Sequence, residues 1–112
     1  MVTKALQLNP TAAQGWYHTT VFYDLYLKGQ HQKAIAVIRE HPYHELAETQ
    51  MKYAMAYGQL GQPDKAREHW EMCRQIEPEW SSQRMIEVFR LWNVNEPDIK
   101  RFMEGVAKAG LT

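Results

Sequence analysis

A single cysteine, Cys73, leaves this chain without a partner for a disulfide and without a thiolate cage for a metal ion. A lone thiol suits a reducing compartment, so the expected location is cytoplasmic. An excess of either charge is missing as well: thirteen Lys and Arg face thirteen Asp and Glu, and the formal net charge is zero. Nucleic acids are gripped by surplus cations that neutralise phosphates and release counterions. Neither nucleic acid nor an anionic membrane surface is therefore an expected partner. No apolar run approaches the roughly 20 residues that a membrane-crossing helix needs, and Met1-Val2-Thr3-Lys4 opens without the apolar stretch of a secretion signal. Gly-rich phosphate loops and a serine-centred nucleophile elbow are absent too. So are the alternating β-branched runs that mark strands.

Helices are what the sequence does contain. Apolar residues make up 45% of it, enough for a real core. The breaks fall at Asn9-Pro10, Gly29-Gln30, His41-Pro42, Gly61-Gln62-Pro63, Glu77-Pro78, Asn93 to Pro97, and Gly110. The reading is all-α, with about five full helices after an N-terminal stub. Thr11 and Gln14 form a capping-box pair for a helix carrying Tyr17, Val21, Phe22, Leu25 and Tyr26 up to Gly29. A segment from about Gln30 to Glu40 turns Ala34, Ile35, Val37 and Ile38 inward and is cut short at Pro42. The third spans roughly His44 to Leu60, and the fourth opens at Pro63, where the missing N–H costs nothing, and reaches about Ile76. The fifth runs from Ser81 to Trp92. The last is capped by Asn95, carries Ile99, Phe102, Met103 and Val106 on one stripe, and closes at Gly110.

The pattern repeats. Gly29 and Gly61 are 32 residues apart, and so are Ala34 and Ala66. Gly, Gln, Lys and Ala recur in register between Gly29-Gln30-His31-Gln32-Lys33-Ala34 and Gly61-Gln62-Pro63-Asp64-Lys65-Ala66. A period of this size marks stacked helical hairpins. Residues Tyr53, Ala54, Tyr57, Gly61, Ala66, Trp70 and Pro78 together resemble one tetratricopeptide repeat (TPR). Tyr53 replaces the usual Leu, and Cys73 the usual Ala. The first repeat is looser, with Phe22 where a small residue is expected. The register of Trp16 within it is unsettled.

The resemblance implies a right-handed superhelical array: 1–10 the tail of a preceding repeat, 11–42 and 43–78 two repeats, 79–112 a divergent terminal helix pair. The run Asp98-Ile99-Lys100-Arg101-Phe102-Met103-Glu104-Gly105-Val106-Ala107-Lys108-Ala109-Gly110-Leu111 is similar to the ends of TPR regions in certain bacterial adenylate-cyclase-like and winged-helix regulators. That implies a C-terminal piece of a larger regulatory protein.

Such arrays hold a peptide or helix in a concave groove lined by the first helix of each hairpin. The resemblance places that groove at Thr19, Thr20 and Tyr23, at Met51, Lys52 and Met55, and at Met85, Ile86 and Phe89. The competing arrangement is that the last helix folds across part of this surface. Of the positions where some TPR proteins clamp a partner's terminal carboxylate, Lys52 alone is basic, so no such clamp is expected.

Other chemistry is thinly signalled. His41 and His44, with His31, span a helix break, and no spacing fixes a third metal ligand. Position 48 is Glu48, so His44-Glu45 does not continue into a zinc-protease motif. His69 and Cys73 lie four residues apart on one helix, but a nucleophilic pair needs an orienting third group and an oxyanion site. The expectation is a non-enzymatic interaction module without cofactor or metal, binding a protein or peptide. The alternative is homodimerisation, and a weaker one is a metal- or small-molecule-binding helical domain.

Overall fold

The computed structural model describes residues 10–111, with side chains from Tyr17 onward. Six helices and no strand occupy these residues: α1 Pro10–Leu27, α2 His31–Arg39, α3 Ala47–Gln59, α4 Pro63–Ile76, α5 Ser82–Leu91 and α6 Glu96–Lys108. The all-α expectation holds, with six full helices in place of about five. The N-terminal stub and the register of Trp16 lie outside the described residues. Two boundaries differ from the reading. Helix α1 already includes Pro10, so Thr11 lies inside the helix and is not its cap. Helix α3 begins at Ala47, not near His44. The reason is visible in its first turn: the Thr49 hydroxyl donates to the Tyr43 carbonyl (2.7 Å) and the Gln50 amide to the His44 carbonyl (2.7 Å). These bonds hold the loop open where a helix would otherwise continue.

Three turns share one geometry. Gly29 and Gly61 take positive φ, 77° and 71°, and Asn93 takes 58°. Positive φ is costly for most side chains and cheapest for Gly, with Asn next. Across each turn a backbone N–H reaches back five residues to close the preceding helix: Gln30 to Leu25 (2.9 Å), Gln62 to Tyr57 (3.0 Å) and Val94 to Phe89 (3.0 Å). Each of these positions recurs every 32 residues. The divergent pair α5–α6 is thus a third hairpin built on the same turn. Ser81 caps α5 by accepting from the Arg84 N–H (3.1 Å), and Asn95 caps α6 by accepting from the Asp98 N–H (2.9 Å).

The centre of the molecule is α3, in which every residue from Thr49 to Gly58 is buried. Helices α2, α4 and α6 pack around it. Helix α6 reaches α3 at a glycine crossing: a Cβ on Gly58 would lie 1.8 Å from the Gly105 carbonyl oxygen, and one on Gly105 would lie 2.1 Å from that of Met55. Backbone therefore touches backbone. A polar lock secures the crossing. The Tyr26 hydroxyl donates to the Arg101 carbonyl (2.8 Å) and accepts from the Gln59 amide (2.9 Å), and Lys108 donates to the Gln59 oxygen (2.7 Å). Arg101 in turn donates to the Leu27 carbonyl at the end of α1.

Candidate functional site

Packing α6 onto α3 divides the expected groove. Met51, Met55, Met85 and Phe89 are fully buried, and Ile86 is half-buried against the same core. These five are packing residues in this arrangement, where the sequence reading places them on an open face. Thr19, Thr20, Tyr23 and Lys52 are brought together elsewhere. They line a cavity of about 1030 Å³ between α1, the first turns of α3 and the turn joining α5 to α6.

Six of the fifteen residues that line the cavity are apolar or aromatic, and they form one continuous part of its wall with Tyr23. Tyr23 packs on Phe102 with ring centroids 4.9 Å apart and on Phe89 edge-on at 6.0 Å. Val94, carried in by the Asn93 turn, completes that wall, and Leu27 lies beside it. Leu46 and Trp92 stand at the mouth, 44% and 47% exposed. Both are large apolar side chains left partly in water beside a cavity.

Its polar groups are numerous, nine of the fifteen lining residues, and unevenly satisfied. Lys52 is almost wholly buried and donates one 3.3 Å bond to the Glu48 carbonyl, one helical turn back. Its ammonium lies 5.6 Å from the centre of the Tyr23 ring. Burial lowers its pKa to about 8, opposed by the charge of Glu48. The Tyr23 hydroxyl is buried and bonds to no protein atom, and burial raises its pKa. His41, on the same wall, accepts a 2.9 Å hydrogen bond from the Tyr43 N–H at Nδ1. That bond requires the neutral ring. Burial, then the Lys52 charge, lower its pKa to about 4.

Elsewhere the titratable groups are engaged in packing. Cys73 is buried, points its thiol at the Ala47 carbonyl (3.4 Å), and burial raises its pKa to about 12. At neutral pH it is a thiol, not a thiolate. His69 is turned to the Gln50 side chain (2.7 Å) and stacks on Tyr53 at 4.4 Å. Among the described residues no three His, Cys, Asp or Glu side chains converge as a metal ion would require. No helix among them is long and apolar enough to cross a membrane.

Sequence reasoning found four of the fifteen lining residues and missed the other eleven, among them His41, Leu46, Trp92, Asn93, Val94 and Phe102. The signal available for part of this set was the 32-residue period itself, which aligns Asn93 with Gly29 and Gly61. Compared with protein-family models, curated proteins and solved structures, the chain matches none.

Proposed function

We propose that this chain is a protein-interaction module of tandem, TPR-like helical hairpins that holds a short apolar segment of a partner protein in the cavity between α1, α3 and the α5–α6 turn. The observation that carries this reading is the division of the inner face. One part is filled by α6, an amphipathic helix of the chain itself, and the adjoining part stays open with Leu46 and Trp92 exposed at its mouth. A surface that already seats a helix has the curvature to seat a segment beside it.

The test is a peptide-display selection on the intact chain, with each enriched peptide measured again on Leu46→Asp. Enriched peptides share a bulky apolar residue and bind the variant roughly tenfold or more weakly, since a charge is set against an apolar contact. A selection that enriches nothing, or peptides that bind both proteins alike, counts against the reading.

Self-association is the second reading. Leu91, 74% exposed, stands next to Trp92 at the end of α5 and favours it. Under the first reading the mass by light scattering stays that of one chain as concentration rises. A mass that climbs, and that falls back in Leu91→Glu, establishes the second.

A further inference from the structure

The loop between α2 and α3 turns on a histidine side chain. Pro42 has no backbone N–H to close a turn, and His41-Pro42-Tyr43 is closed by the His41 ring, whose Nδ1 accepts the Tyr43 N–H (2.9 Å). The Tyr43 carbonyl accepts from the Thr49 hydroxyl (2.7 Å), so the same residue ties the loop to the first turn of α3. Three residues further on, the loop sets Leu46 at the cavity mouth, and His41 itself lies on the cavity wall. One ring nitrogen therefore connects the loop backbone to the shape of the opening.

That nitrogen accepts only while it carries no proton. Protonation puts an N–H where the lone pair was, donor against the Tyr43 donor. The ring is 6% exposed, so the new charge is also held away from water. Its neighbours offer little relief. His18 of α1 stands edge-on at 6.0 Å, His44 of the loop lies at 6.4 Å, and the Lys52 ammonium of α3 opposes a second cation. Glu45 of the loop favours the charge, and Glu48 of α3 and Asp98 of α6 line the same cavity, but no carboxylate bonds to the ring. His44 differs. It donates from Nε2 to the Arg39 carbonyl (3.2 Å), a bond that protonation leaves intact.

We propose that the α2–α3 loop is an acid-released latch on the cavity: protonation of His41 breaks its bond to Tyr43, frees residues 40–46 from the wall and draws Leu46 away from the mouth, while α3 and α6 stay packed. No histidine takes part in the hydrogen bonds that lock the crossing of α3 and α6, although His31 packs against the Tyr26 ring. Burial and the Lys52 charge hold the His41 pKa at about 4 against an ordinary 6.5. The closed loop is thus favoured above pH 6.5, and the open form gains on it as the pH falls toward 4, by about two orders of magnitude over the whole range. The latch acts on the cavity whatever enters it, and it does not rest on the peptide reading.

The experiment is an NMR pH titration of the intact chain alone, from near neutral pH down to about 3, a range that spans ordinary histidine titration. It follows the His41 ring, the Tyr43 amide, the Leu46 methyls and the Met55 methyl. The Tyr43 and Leu46 signals move along the titration curve of the His41 ring, and Met55 keeps its folded position over those pH values. In His41→Asn, which keeps an acceptor and cannot titrate, both movements disappear. Glu45→Gln and Glu48→Gln leave them in place, which separates the ring from the neighbouring carboxylates.

Movements that persist in His41→Asn overturn the latch, as do movements that follow the His18 or His44 ring instead. So does a Met55 signal lost together with those of the loop, because that is unfolding of the whole chain. Should His41→Asn not fold, the two glutamate variants decide, and movements lost in either one overturn the latch. Failure here leaves the peptide reading to be judged by Leu46→Asp.

Discussion

A methyl group on Gly105 has nowhere to go, because the Met55 carbonyl oxygen lies 2.1 Å from where it would stand. Gly105→Ala must therefore push α6 off α3. Its expected cost is about 3 kcal/mol, the upper part of the range for overpacking, read as a drop in the urea midpoint. An unchanged midpoint would show that the two backbones are not in contact. Lys52 is the opposite case, a residue whose removal helps. Its folded pKa of about 8 lies below the ordinary 10.5, so the charged form is disfavoured in the folded chain. Between those values the unfolded chain binds a proton that the folded one does not. Stability accordingly rises with pH from about 8 to 10.5. Lys52→Met, which keeps length and removes charge, is expected to stabilise the chain by about 2 kcal/mol near neutral pH and to flatten that rise. A destabilised variant would mean the ammonium is already compensated.

At the scale of elements, the three hairpins differ mainly in the residue that makes the turn. Gly29 and Gly61 adopt positive φ freely, whereas Asn93 does so at 58° with a side chain to accommodate. Asn93→Gly is expected to gain a few tenths of a kcal/mol and Gly61→Ala to lose about 1 kcal/mol, measured as thermal midpoints. Equal effects at the two turns would mean that they do not share a geometry. This is also where the sequence was most legible. Turn glycines, the prolines after them and the apolar stripes locate the helices within a few residues, because those signals are local. The start of α3 was hidden because Thr49 and Gln50 act at a distance of six residues, reaching back to loop carbonyls. That the last helix could fold across part of the groove was legible as the competing arrangement, but the contact that seats it was hidden for a stronger reason. It depends on Gly58 meeting Gly105, 47 residues away, and on a hydroxyl of α1 closing the lock. No periodicity within either helix marks that meeting. Four cavity residues were legible as groove positions, but five others on the same stripes turned inward once α6 lay across α3.

Across the whole molecule, histidines whose charging is disfavoured by burial contribute to the response to acid. His41 has a folded pKa of about 4 against an ordinary 6.5, and burial lowers His31 and His69 as well. Below pH 6.5 the unfolded chain takes up protons that the folded one refuses. Stability is thus fully present above that pH and declines as the pH falls toward 4. His41→Asn retains an acceptor for the Tyr43 N–H and cannot titrate, so its melting temperature should fall less steeply over that window. An identical slope would place the acid response elsewhere. The larger claim is that a partner enters the cavity while α6 keeps the methionine face closed. The direct measurement is an NMR titration of a selected peptide into chain labelled at the methionine methyls and at Val94. The account predicts shifts at Val94, with the methyls of Met51, Met55 and Met85 unmoved. Large shifts of those three methyls would contradict it, showing that the partner displaces α6 and takes the whole inner face.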